Sequence, residues 1–470
     1  MSDPNGELMD AVFGPGDGTE PRDRARQSSR VFVRGLDLLT VERSGKETGR
    51  RLTALEALDA YGYEKLCEVA REGSGILTSS VHAVGRTLRN RREELGLPLT
   101  SLASRAGLSR DVVTALEQSR RRPIREYERA ARILGLDERQ LSFNELPTEN
   151  ERIAVRLRTL SEQLPSLSPS TVANLSEAAW VAMTQVRLER QLELADPDYV
   201  FEESHDFGGL GGPAYEVGYD LAQRVRDRLG LDENPIPSMR ALAEDTLGFT
   251  VIQANLDEDV AGATIETDGH RAIVLNLIGR NSQAAVRRST LAHELCHILF
   301  DPSADLNSLR VDNYEDLDRR PDQTADRVEQ RANAFSIELL APQAAAVERY
   351  RNNENLFRAV LDYFGVSFTA GRYQVWNGLD RSVPLESIKA PHRPPEQDWD
   401  GKETFTVDYH PVRALGDVPA RAGKFSAVVV RAARDGIISW DTAGEWLAST
   451  EKELKDVSPF MVDLYPSVFP

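Results

Sequence analysis

Leu291 to Phe300 reads LAHELCHILF, and the fold of this chain is decided around it. The stretch holds His293, Glu294 and His297, an HExxH pattern. Residues four apart on an α-helix share a face, so both imidazoles can reach one metal ion, with Glu294 beside them. The flanking Leu291, Ala292, Leu295, Ile298, Leu299 and Phe300 are apolar. They imply a buried helix, and buried imidazoles need partners. A metal ion supplies one. The competing reading is an ordinary amphipathic helix with two surface histidines. With 7 His in the whole chain, two at ligand spacing inside an apolar flank weigh against it.

Catalytic zinc usually takes three protein ligands and leaves the fourth position to water. The third ligand should lie downstream. Val328 to Pro342, VEQRANAFSIELLAP, reads as a second amphipathic helix, with Ala332, Phe335, Leu339 and Leu340 on the apolar side and Pro342 as a stop. Glu329, near its start, is the best candidate; a solvated glutamate is the alternative. Glu294 is placed to take a proton from a metal-bound water, which is the zinc metallopeptidase reading of the motif.

The two segments together resemble the ImmA/IrrE family of metallo-endopeptidases, whose members carry AHELxH followed by an E-x-x-A-N-x-F-A helix ending in L-[LM]-x-P. Here AHELCH is followed by Glu329, Ala332, Asn333, Phe335 and Leu339-Leu340-Ala341-Pro342. AIVLN (Ala272 to Asn276) matches the family's upstream strand, and Arg288 its arginine before the motif. The resemblance implies His293, His297 and Glu329 as a gluzincin-like zinc ligand set and Glu294 as general base. Cys296 stands where glycine is common and Ser336 where alanine is usual; neither is a proposed ligand. Cys296 points off the ligand face and reads as a small buried hydrophobe. The family's usual target is a repressor, cleaved in stress or phage-related responses, which implies a repressor or antitoxin-like protein substrate.

Composition bounds the alternatives. A chain of 470 residues suggests two to four domains. Two cysteines, Cys67 and Cys296, argue against a disulfide scaffold and fit a reducing cytosol. No apolar run approaches membrane-spanning length, and the first residues lack the basic-then-apolar order of a signal peptide, so a cytoplasmic, membrane-free protein is expected. A net charge of −18 argues against a nucleic-acid binder over the whole surface, though not against a local basic module.

Val84 to Leu134 is such a module: 12 Arg against 6 Asp and Glu, in short helical periods. Leu102 and Ala103 point inward, Ala106-Gly107-Leu108 makes a tight turn, and Ser109 is an N-cap. LTSLASRAGLS followed by VVTALEQSRRRP resembles the Xre/Cro-type helix-turn-helix domain, with Ser119 in place of the customary glycine. The resemblance implies DNA binding, with Ser109, Arg110, Asp111 and Thr114 nearest the bases and Arg120, Arg121 and Arg122 on phosphates. A small protein-binding bundle with a solvated arginine face is the alternative.

The chain is therefore expected to be multidomain and mainly α, with an α+β zincin-like domain. The divisions are a disordered leader (1–30), a helical segment of unknown role (31–83), the helix-turn-helix domain (84–145), a helical connector (146–207) that leaves a homodimer open, and a Gly-rich linker (208–213). There follow the metallopeptidase domain (214–345), with a small sheet beside the HExxH helix, a second helix-turn-helix-like unit (346–383), and a C-terminal helical region (384–470). Within the peptidase domain, Phe249 to Ala254 and Ala261 to Glu266 read as strands, and Arg271 to Leu277 as the edge strand nearest the metal helix. Substrate is expected to add to that sheet as an extra strand. Asp301 to Arg327 reads as a long, acid-rich, solvated loop, with a lid or substrate-gating role as the alternative. Two functions compete: a zinc endopeptidase with a DNA-binding module, or a transcription regulator whose peptidase-like domain senses a ligand or partner. A purely structural zinc site is disfavoured, because two His and one Glu leave the coordination open.

Overall fold

The computed structural model describes residues 4–36, 49–78, 81–141, 167–194, 212–267, 270–301, 309–314, 327–353, 357–390, 399, 403 and 419–469. A strand that the sequence suggests at Phe405 to Tyr409, and His392 and His410, which it places in loops or edges, lie outside them. Among the described residues the protein is mainly helical with two small mixed sheets, and the chain divides into two compact units, Met1–Ala195 with Asp408–Pro470, and Asp196–Val407. Among the described residues, no helix is long and apolar enough to cross a membrane.

The first unit departs from the sequence expectation at its start. The supposed disordered leader contains helices Pro4–Phe13 and Pro21–Gln27, and Val12 and Phe13 are buried. Phe13 stacks on Tyr63 at 5.9 Å, an anchor that composition alone does not show. The segment expected to be helical opens as a sheet: β1 (Val31–Gly35) pairs antiparallel with β2 (Arg50–Thr53) and parallel with β3 (Ile76–Thr78). Helix Ala54–Arg71 leaves β2 directly. Thr53 and Glu56 form a capping box there, satisfying backbone donors that a helix start leaves orphaned.

The helix-turn-helix region forms four helices, Val81–Glu94, Leu99–Arg105, Arg110–Glu117 and Ile124–Ile133. Pro169–Gln191, read from sequence as a connector, is a core helix, buried on nearly every face from Thr171 to Gln185. Its Trp180 meets Phe425 and Trp446 edge-on, each at 5.8 Å, so C-terminal helices Lys424–Arg434 and Trp440–Trp446 complete this unit. Charge closes it too. Arg34 and Arg50 share buried Glu128, and Arg125 bridges Asp441 at 2.6 Å and Glu445 at 2.7 Å.

The second unit is α+β. Its sheet runs β4 (Thr250–Ala254), β6 (His270–Asn276), β5 (Val260–Thr267), β7 (Leu309–Asn313) in space. β6 is therefore internal, parallel to β4 and antiparallel to β5, not the edge strand expected. Its fully buried run Ala272–Leu275 suits a strand covered on both faces. β7 is an edge strand inside the segment read as a solvated loop. The HExxH helix, Ala284–Phe300, packs on β5 and β6 and on the Glu329 helix, Arg327–Leu340. Helix Ala214–Arg228 packs tightly on the Glu329 helix because Gly218 has no side chain: a Cβ there would lie 2.3 Å from Arg331 O.

Helices Arg358–Phe364 and Phe368–Gly378 do not stand apart as a second small unit. Gln374 Nε2 donates to Ala341 O at 2.9 Å from inside the same core. Trp399 and Glu403, assigned from sequence to the C-terminal helical region (384–470), also belong here. Buried Arg288 pairs with Glu403, donates to Ile236 O at 2.8 Å, and lies over the Trp399 ring at 4.2 Å.

Candidate metal centre

His293 and His297 enter one space from one face of the HExxH helix, with their Nε2 atoms 3.0 Å apart. The other nitrogens are occupied. His293 Nδ1 is 3.0 Å from Asn333 Oδ1, and His297 Nδ1 is 2.7 Å from Asp301 Oδ2. Both partners accept, so each ring carries its proton on Nδ1 and turns the Nε2 lone pair inward. Burial pushes both imidazoles down to about 4, so they are neutral near pH 7. Two facing lone pairs without a proton between them repel, and a cation relieves that.

Glu329 adds carboxylate oxygens 3.2 Å from His293 Nε2 and 3.7 Å from His297 Nε2. Its helix also supplies Asn333, and Arg331, which pairs with Asp301. One helix thus carries a candidate ligand and the groups that orient both rings. The donor set is wider than the sequence suggested. Asp312, on β7, joins His293, His297 and Glu329, and one ligand atom from each lies within 4.8 Å of all the others. All four residues are buried. Two imidazole nitrogens and two carboxylates suit zinc or a similar divalent ion.

Glu294 is fully buried beside the cluster. Its Oε2 accepts from Thr264 Oγ1 at 2.8 Å, and its carboxyl also meets the Asp312 carboxylate. Gly262 leaves room for Glu294: a Cβ there would stand 2.9 Å from its Oε1. Burial, then the Asp312 charge, push the Glu294 carboxyl well above the usual range. Burial also opposes ionisation of Asp312, but Arg310, followed by the two histidines, holds it low. The two neighbouring carboxyls are thus shifted in opposite directions, and a bound cation would favour the Glu294 anion. Arg310 also pairs with Glu329. A cavity of about 380 Å³ shares Thr290 and Asn333 with this region and is further lined by Ser336, Ile337 and Phe368.

Sequence reading named His293, Glu294, His297 and Glu329, and the structure brings them together. It missed Asp301, although Asp301 stands one helical turn beyond His297, a legible spacing. Asn333 was quoted as part of a motif and given no task. Asp312 was counted among the acids of a solvated loop; pairing of β7 with β5 buries it instead.

In the first unit, Ser109 caps helix Arg110–Glu117, accepting from Val112 N at 3.2 Å. Ser109, Arg110 and Asp111 are exposed on its first turn and Thr114 is half-buried. Arg120 and Arg121 are exposed, but Arg122 forks onto Glu126 at 2.6 and 2.7 Å. Much of the basic excess is spent internally, since Arg92 grips Glu117 and Arg125, Arg129 and Arg132 face Glu445. Ser119 takes φ +57°, the left-handed conformation that explains a glycine preference there.

No curated protein matches the chain. Residues 83–142 match the helix-turn-helix domain model, and residues 245–375 match the IrrE N-terminal-like domain, a metallopeptidase family. The chain thus carries a helix-turn-helix domain and, C-terminal to it, an IrrE N-terminal-like metallopeptidase domain.

Proposed function

We propose that this protein is a zinc-dependent endopeptidase that cuts a regulatory protein of the repressor or antitoxin class and carries a DNA-binding module. One observation carries the reading: the inward Nε2 atoms of His293 and His297 and the Glu329 carboxylate converge in one buried space, beside the buried Glu294 carboxyl. His293, His297 and Glu329 would hold the metal, oriented by Asn333 and Asp301. Bound zinc supplies Lewis acidity, acidifying water and polarising the scissile carbonyl. Glu294 takes the proton from water and delivers it to the leaving amine, held in place by the Thr264 hydroxyl. The exposed first turn of helix Arg110–Glu117 would read bases, with Arg120 and Arg121 on phosphates.

The test is co-expression with proteins encoded by neighbouring genes, comparing wild type with Glu294→Gln by mass spectrometry. A neighbour cut only by wild type is expected. Cleavage by the variant would remove Glu294 from its role. A second reading, a DNA-bound regulator that cuts little, draws on the crowding of the centre by Arg310 and Asp312. Zinc binding and tight promoter binding without cleavage would favour it.

A further inference from the structure

β7 pairs antiparallel with β5 in a register that brings it over the centre: Arg310 opposite Thr264, Val311 opposite Ala263, Asp312 opposite Gly262. Thr264 and Gly262 are the two β5 residues that meet Glu294, one by a hydrogen bond and one by close approach. Residues two apart on a strand share a face. Arg310 and Asp312 therefore both turn toward the metal cluster, and their side chains arrive there: Arg310 on Glu329, Asp312 among the four donors. The flank is anchored, with Leu309 and Tyr314 buried and Tyr314 N donating to Asp259 O at 3.0 Å.

This placement conflicts with an open peptidase site. β6 holds one edge of β5 and β7 the other. An extended peptide docking against β5 over Glu294 needs the edge that Leu309–Asn313 holds. A catalytic zinc site also keeps a ligand position open, whereas four protein donors close it.

We propose that Leu309–Asn313 is a resident strand in the substrate edge of β5, with the Asp312 carboxylate as a fourth donor to the cation. The site is thereby self-occupied, and an extended substrate segment must displace the strand to be cut. The inference rests on the peptidase reading above.

The test uses the full-length protein loaded with zinc, fluorescein-labelled casein as an unfolded substrate, chelator competition for zinc affinity, and hydrogen exchange at Val260–Ile265. Two variants are compared with wild type. Asp312→Asn alters one donor and no backbone. Val311→Pro puts into the strand a residue that cannot donate to the ladder and fits its dihedrals poorly. We expect casein cleavage at least about ten-fold faster in both variants, faster exchange along β5 in Val311→Pro, and zinc bound about ten-fold more weakly by Asp312→Asn. Slower cleavage by Asp312→Asn, with β5 exchange unchanged in Val311→Pro, would overturn the proposal and make Asp312 part of the working site. Weakened zinc binding and quickened exchange with no cleavage by any form would uphold the resident strand and remove the peptidase reading instead.

Discussion

His297 and Asp301 stand one helical turn apart, and the Asp301 carboxylate meets His297 Nδ1 at 2.7 Å while its other oxygen is held by Arg331. The histidine ring is thereby fixed in tautomer and direction from the helix that carries Glu329. Groups of this kind typically contribute about 10–100-fold in metal affinity. Asn333→Ala is expected to weaken zinc binding by that order while the chain stays folded; Asp301→Ala should weaken it likewise and also cost stability, because buried Arg331 loses its counter-charge. Chelator competition with circular dichroism checks this; unchanged affinity would mean that the rings are oriented by packing alone.

Arg288 and Glu403 form a second anchoring pair, remote in sequence and buried together. Glu403 also accepts from Met239 N at 2.9 Å and Arg240 N at 3.1 Å. Glu403→Ala leaves a buried guanidinium without its counter-charge, which costs about 3–5 kcal/mol. Thermal denaturation should show a large loss in the second unit. Arg288→Met combined with Glu403→Ala should restore part of it, because the uncompensated charge is then gone. A double variant no more stable than Glu403→Ala would argue against this account.

The first unit should be acid-sensitive through Glu445. Burial opposes its charge, but Arg50, Arg125, Arg129 and Arg132 together outweigh burial and hold its pKa at about 2, from an ordinary 4.5. A depressed folded-state pKa contributes stability above the unfolded value and loses it as pH falls through the folded one. The contribution is at most about 3 kcal/mol at neutral pH, lost between pH 4.5 and about 2. Urea midpoints of wild type and Glu445→Gln should differ most at pH 7 and converge near the lower limit. A gap independent of pH would refute the assignment.

DNA binding, if it follows the exposed surface, depends on a minority of the arginines. Arg110→Ala and Arg120→Ala should weaken binding by about ten-fold or more each and lower its salt dependence. Arg125→Ala should chiefly destabilise the unit, since that side chain is held by Asp441 and Glu445. Titration at two salt concentrations, alongside unfolding curves, separates the two. Equal loss of DNA binding per unit of stability in all three would count against a contact role for Arg110 and Arg120.

The local features were written in the order of residues. HExxH spacing put two imidazoles and Glu294 on one buried helix, and the period of Val328 to Pro342 placed Glu329 on a second. The turn at Gly107 and the cap at Ser109 marked the helix-turn-helix. Each depends on residues a few positions apart, where helical geometry alone sets the distance. What tertiary structure decided depends on long-range partners. Whether LRVDN is a loop or a strand turned on pairing with β5, and only that pairing buries Asp312. Whether residues 4–27 are ordered turned on anchors such as Phe13 against Tyr63, and whether Pro169–Gln191 is a spacer or a core helix turned on Trp180 meeting Phe425 and Trp446 from the far end of the chain. Such contacts leave no periodic trace in the sequence, because their spacing is set by the route of the chain and not by the repeat of a helix or strand.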